Sequence, residues 1–255
     1  MSVLKCQNVT VKYENQVVIS DVSFEVNQGD YLCIVGDNGT GKTTLLKAVL
    51  GLKRIQSGSV QFDPSLCRNE IGYISQQNNI NRDFPASVYE VVLSGCLNKH
   101  GLSPLYSHAE KNSAEEIMKK LGIDEIRMKS FQDLSGGQQR RVLLARAMMA
   151  SSKVLFLDEP VAALDPIATA DFYDLLNLLR TDGLTIIMVS HDIHSAIHNA
   201  SHILHLSADS YFYGTTAEYI SSSFGQAYLN EQGTCRECHH ALAHGINILS
   251  SDLPV

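Results

Sequence analysis

Eight residues, Gly36, Asp37, Asn38, Gly39, Thr40, Gly41, Lys42 and Thr43, fit the spacing G-x-x-x-x-G-K-[ST], and Thr44 follows them. The glycines let backbone N–H groups curl around phosphate oxygens, and a helix opening behind them points its positive end the same way. The Lys42 ammonium then reaches the β- and γ-phosphates of a nucleotide, and the Thr43 hydroxyl ligates Mg²⁺. A second run, VLFLDEP from Val154 to Pro160, is its companion. An apolar strand delivers Asp158 and Glu159 to the carboxyl edge of a sheet, where α/β folds bind their ligands. Asp158 suits Mg²⁺, directly or through water, and Glu159 suits a general base for the attacking water.

These side chains need strands that end together. YLCIVG (31–36), VLFLD (154–158) and LTIIMVS (184–190) are continuous apolar runs, the pattern of buried parallel strands. KTTLLKAVLGL, GGQQRRVLLARAMMA and ATADFYDLLNLLR read as the helices around them. Two alternating segments at the start, VLKCQNVTVKY and VVISDVSFEV, read as strands, with further strands at GSVQF and IGYIS, and an antiparallel β subdomain is expected. The expected fold is α/β: a P-loop NTPase core with a mainly parallel sheet, that β subdomain, and a helical insertion over about 79–137. Residues 1–224 form the expected domain. From about Phe224 the pattern turns polar and irregular, and 225–255 reads as a tail.

The net charge of −7 gives no overall basic field to neutralise a phosphate backbone, so no nucleic-acid partner is expected. The N-terminus has no signal-peptide pattern, and no stretch approaches the roughly 18 apolar residues that span a bilayer. A cytoplasmic protein is expected, with Cys6, Cys33, Cys67 and Cys96 as small buried apolar residues.

LSGGQ, from Leu134 to Gln138, changes the reading from a general nucleotidase to one family. With the two motifs above, the chain resembles the ATP-binding cassette ATPases over roughly residues 2–220. Other marks stand in the family's order: Tyr13 resembles the aromatic that stacks on adenine, Gln76 the Q-loop glutamine that also meets Mg²⁺, Asp165 the end of the D-loop, and His191 the switch histidine. Ser135, Gly136 and Gly137 offer a hydroxyl and N–H groups at a helix start, a second anion site. One compact chain does not readily close both sites on a single nucleotide, whereas a two-fold dimer does. The resemblance implies that ATP lies between the phosphate loop of one subunit and LSGGQ of the other. Lys42, Gln76, Glu159 and His191 are the catalytic residues it implies, and closure on ATP the power stroke.

A chain of this kind drives transport through a separate integral membrane permease, in two copies, from the inner face of the cell membrane. The run DFPASVYEVVLSG, Asp83 to Gly95, resembles the ATPases of bacterial zinc and manganese importers, with Phe84 and Pro85 as a rigid apolar knob for the permease. The resemblance brings an extracytoplasmic metal-binding protein with it. A histidine directly after HDI, here His194, resembles the zinc-importer ATPases, and that resemblance favours zinc over manganese. At the far end, Cys235 and Cys238 have C-x-x-C spacing, His240 and His244 share a face if helical, and His239 is spare. Thiolate with imidazole suits Zn²⁺, and such a tail would sense cytosolic zinc. The alternatives are a manganese importer, a cassette ATPase without a transport role, and a metal-binding regulator with a dead ATPase; intact Lys42, Glu159, Ser135 and His191 oppose the last.

Overall fold

The computed structural model describes residues 1–13, 16–66, 71–76, 85–99, 105–151 and 153–231. By contact the chain divides into two compact units, Met1–Thr216 and Ala217–Val255. The first begins with long strands β1 (Ser2–Tyr13) and β2 (Gln16–Asn27), which pair antiparallel, and β4 (Ser57–Phe62) adds to the other edge of β1. These strands alternate buried and exposed residues, as a sheet with one wet face must.

The second sheet has six strands in the order β5-β6-β7-β3-β8-β9. They are β3 (Tyr31–Gly36), β5 (Ile71–Ile74), β6 (Val154–Asp158), β7 (Thr185–Val189), β8 (His202–Leu206) and β9 (Tyr211–Thr215). All neighbours are parallel except the β8–β9 pair. Every residue of β3, β6 and β7 is buried, so each run can be apolar throughout. Register sets Asp158 beside Val189, and Ile34 beside Val189 on the other flank. The ends of β3, β6 and β7 therefore meet at one edge.

Helix α1 (Lys42–Val49) follows β3 and joins both sheets into one core. Its Leu45 and Leu46 are fully buried among Leu4, Val9, Val11, Ile34 and Phe156. Burial of each such side chain stabilises by about 1.5–3 kcal/mol. Between β5 and β6 stand α2 (Val88–Leu93), α3 (His108–Lys120) and α4 (Gly136–Ala150). Each opens on a serine whose hydroxyl accepts from the N3 amide while the N3 side-chain oxygen accepts from the serine amide: Ser87 with Glu90, Ser107 with Glu110, Ser135 with Gln138. Helix α4 lies so close to β5 that a Cβ on Gly72 would stand 2.7 Å from the Ala147 carbonyl oxygen. Helix α5 (Pro166–Thr181) starts on the Asp165 cap with proline at its first turn, and α6 (Ile193–Asn199) on the Asp192 cap.

Cys6, Cys33 and Cys96 are buried, as expected; Cys67 lies outside the described residues. The second unit differs from the irregular tail that the pattern suggested. Helix α7 (Thr216–Ser221) is followed by α8 (Ser223–Glu231), which continues past Phe224. Ser222 starts it, its Oγ accepting from the Gly225 amide at 3.1 Å and its carbonyl from Gln226. Glycine and polar residues among its few apolar positions hide the period that would announce it. Among the described residues no helix is long and apolar enough to cross a membrane.

Candidate functional site

The phosphate loop runs from the end of β3 into α1. Gly36, Gly39 and Gly41 have φ of 139°, 87° and 92°, a region side chains strain to enter. At Gly36 space forbids a side chain too, since a Cβ would stand 2.1 Å from the Leu206 carbonyl oxygen. Lys42 is 6% exposed. Its Nζ donates to the carbonyl oxygens of Gly36 and Asp37, both at 2.7 Å, folding the side chain back over the loop. Burial pushes its pKa down, and the carboxylates of Glu159, Asp37 and Asp158 oppose that shift.

Thr43 Oγ1 donates to Asp158 Oδ1 at 2.9 Å, across 115 residues of sequence. Asp158 is 1% exposed. Burial raises its pKa, the Thr43 bond pulls it down, and neighbouring Glu159 adds to the rise. A hydroxyl and a carboxylate held together at the mouth of an anion-binding loop are hard oxygen donors, the set Mg²⁺ takes beside phosphate oxygens. The residues fit that cation, with Thr43 and Asp158 as its holders.

Glu159 turns out of β6 with φ of 48°, its amide donating to the Val189 carbonyl at 3.0 Å. A glutamate in the left-handed region is uncommon and aims the side chain off the strand line. Its Oε2 accepts from Gln76 Nε2 at 2.8 Å. Gln76 thus meets Glu159, a contact that spacing alone did not reveal; Gln77 lies outside the described residues. His191 stands exposed between Ser190 and Asp192, past the end of β7.

Ser135, Gly136 and Gly137 form a separate place. Ser135 caps α4, and Gly136 and Gly137 begin it. The Asp165 turn is their neighbour: a Cβ on Gly137 would meet Ala168 Cβ at 3.2 Å, and one on Gly136 a Leu164 methyl at 3.4 Å. Among the described residues no hydrogen bond joins Ser135, Gly136 or Gly137 to the phosphate loop. Asp165 spends its carboxylate on the Ala168 amide, 2.9 Å away, as the cap of α5. Tyr13 ends β1, and the Lys53 ammonium lies 3.9 Å from its ring centroid, a cation–π contact. Nothing in the sequence around Lys53 announces that contact, because it is made between a strand end and a loop.

Cys235, Cys238, His239, His240 and His244 lie outside the described residues, as does Phe84; Pro85 is exposed. Among the described residues no group of three or more histidine, cysteine or carboxylate side chains is placed to hold a metal.

The family profile described as ABC transporter matches residues 19–162. The manganese transport system ATP-binding protein MntB of Halalkalibacterium halodurans is 37% identical, over 91% of this chain and 94% of its own. The zinc uptake system ATP-binding protein ZurA of Listeria innocua is 32% identical, over 85% and 87%. The zinc transport system ATP-binding protein TroB of Treponema pallidum is 31% identical, over 94% and 95%. Among solved structures, an inward-facing ABC transporter assigned to the metal-chelate type superposes with a TM-score of 0.80 at 27% identity, covering 90% of this chain and 89% of that one. The ADP conformation of MJ1267, an ATP-binding cassette, superposes at 0.79 and 24% identity, over 92% and 100%; that likeness bears on the fold.

Proposed function

Since the chain belongs to the ABC transporter family and is an ATPase of its ATP-binding kind, we propose that it powers a divalent-metal importer, with zinc as the cargo. The observation that carries the catalytic part is the Thr43–Asp158 bond at 2.9 Å beside buried Lys42, a hard-oxygen pair at an anion cradle.

In this reading Lys42 leaves the Gly36 and Asp37 carbonyls for the β- and γ-phosphates, and the amides of Gly39, Gly41, Thr43 and Thr44 surround them. Bound Mg²⁺ supplies charge that offsets the growing negative charge on the phosphate oxygens. Glu159 orients and deprotonates the attacking water once Gln76 releases its Oε2. His191 orients the transferring phosphate. Ser135 and Gly137 act on the γ-phosphate bound by a second copy, so hydrolysis needs a dimer. The domain that does this spans residues 1–224. A membrane permease in two copies, contacted near Phe84 and Pro85 and served by an extracytoplasmic metal-binding protein, receives the motion, which places the chain at the cytoplasmic face of the membrane.

Two relatives named for zinc, His194 after HDI, and the thiolate and imidazole groups of Cys235, Cys238, His240 and His244 support zinc. Manganese is the second reading, favoured by the 37% identity to a manganese system. The test is the zinc and manganese content of cells lacking the gene, complemented by the full chain, by Glu159→Gln, or by a chain ending at Gly233. Zinc should fall without the gene, recover only with an active chain, and overshoot in excess zinc with the shortened one. A fall in manganese instead replaces the cargo; unchanged content of both metals refutes the importer.

A further inference from the structure

Helix α5 clamps α6 at one end and stops short of it at the other. At the far end, Asn177 Nδ2 donates to Asn199 Oδ1 at 2.7 Å and Arg180 Nη1 to the Asn199 carbonyl at 3.4 Å. At the near end stands Tyr173, 5% exposed. Among the described residues, its hydroxyl is the buried side-chain polar atom left without a hydrogen-bond partner. A buried polar group in that state is destabilising.

Its surroundings explain why the atom matters. Burial and then Cys33 push the pKa of this phenol up, and the Ser195 and Ser190 hydroxyls lie near enough to pull it down, yet neither meets it in hydrogen-bond geometry. Ser190 and Asp192 flank His191, and both are tied down. The Ser190 amide donates to the Ile34 carbonyl at 3.0 Å, and the Asp192 amide to Ser190 Oγ at 3.0 Å. Asp192 accepts the Ser195 amide at 3.1 Å and the Ser195 hydroxyl at 2.6 Å. A serine hydroxyl that donates keeps two acceptor lone pairs. Ser190 and Ser195 can therefore each accept the Tyr173 O–H without giving up the bonds they already make. Tyr173 also shares α5 with the Asp165 cap, eight residues or about 12 Å along the helix axis. A shift of α5 at its Asp165 end thus reaches the His191 turn through this one phenol.

We propose that Tyr173 is a positioning residue for His191, its hydroxyl taking Ser195 or Ser190 as partner only as the phosphate is transferred. This rests on the reading of His191 given above. The bond is absent at rest and made only in the transition state, so it contributes to the rate and not to resting stability. That sign separates it from a core tyrosine with a structural role alone.

The test is Tyr173→Phe in the full chain, measured for Mg-ATP hydrolysis and for melting temperature without nucleotide, with His191→Ala in parallel. One hydrogen bond of about 0.5–1.5 kcal/mol corresponds to a fall in kcat of about 2- to 12-fold. KM should stay within about twofold, because ground-state binding is untouched. The melting temperature should hold or rise, since a buried orphan has been removed. Full kcat in Tyr173→Phe overturns the inference while leaving the site reading in place, provided His191→Ala is inactive. A clear fall in melting temperature also overturns it, because the hydroxyl would then be bonded at rest. Full activity in His191→Ala defeats the site reading itself.

Discussion

The two places proposed to bind anions are built on the same device, a helix N-terminus with glycines, yet they are not equivalent. The phosphate loop is embedded: Lys42 is 6% exposed, Gly36 lies against the Leu206 carbonyl, and Thr43 already holds Asp158. The start of α4 closes on itself: Gln138 returns to the Ser135 amide at 3.2 Å, and Ser135 Oγ accepts the Gln138 amide. The first place brings together, within one chain, the residues proposed to hold the cation, the base and the anion. The second brings only a cap. A site half of which is complete and half of which is merely ready calls for a second copy to supply the missing wall.

The comparison can be broken or sharpened by substitution. The largest effect is expected at Glu159. Glu159→Gln should lower ATP hydrolysis by roughly 10²–10⁴-fold and leave nucleotide affinity intact, measured by phosphate release and by equilibrium binding. With hydrolysis blocked, ATP should gather the chain into dimers visible by light scattering.

Ser135→Ala comes next. A bond to a charged phosphate is worth about 1.5–3 kcal/mol, so hydrolysis should fall by about 10-fold or more. Nucleotide affinity of the dilute, monomeric chain should not change. Weakened binding under those conditions would mean that both places meet in one chain, and the contrast would collapse.

Asp158→Asn should show the embedded place in stability. Burial raises the Asp158 pKa above its unfolded value. Such a group favours the fold while protonated, and that contribution is lost as pH rises through the folded pKa. At neutral pH the charge is therefore a burden, and the isosteric asparagine should melt at a higher temperature while hydrolysis is lost. A lower melting temperature would show that the Thr43 bond outweighs burial.

The smallest effect is expected at His205, buried on β8 beside Val35. Burial lowers its pKa from 6.5; nearby Asp37 opposes this and Lys42 adds to it. The neutral ring favours the fold, so stability is present above 6.5 and declines as pH falls from there toward the folded pKa. His205→Gln should flatten the melting temperature between neutral and mildly acidic pH.

Much of the site could be read from the chain because its parts are local. Gly36 to Thr44 places glycines, lysine and threonine within nine residues, and their chemistry follows from backbone sterics and reach. The apolar runs ending at Gly36, Asp158 and Val189 announced buried parallel strands, since only strands covered on both faces can be apolar throughout. Helix α8 escaped notice because it is short and its apolar positions, among them Phe224, Ala227 and Tyr228, are interrupted by glycine and polar residues.

What the sequence determined, then, was which groups exist and which strand or helix end carries each. Only the tertiary structure decided which of them touch. Strand order set β7 between β3 and β6, and that order brings Thr43 to Asp158 over 115 residues and Gln76 to Glu159 over 83. It also set α5 along α6, leaving the Tyr173 hydroxyl among serines bonded elsewhere. The physical reason is range. Steric and hydrogen-bonding preferences act within a few residues, while strand order follows from burying every apolar face at once.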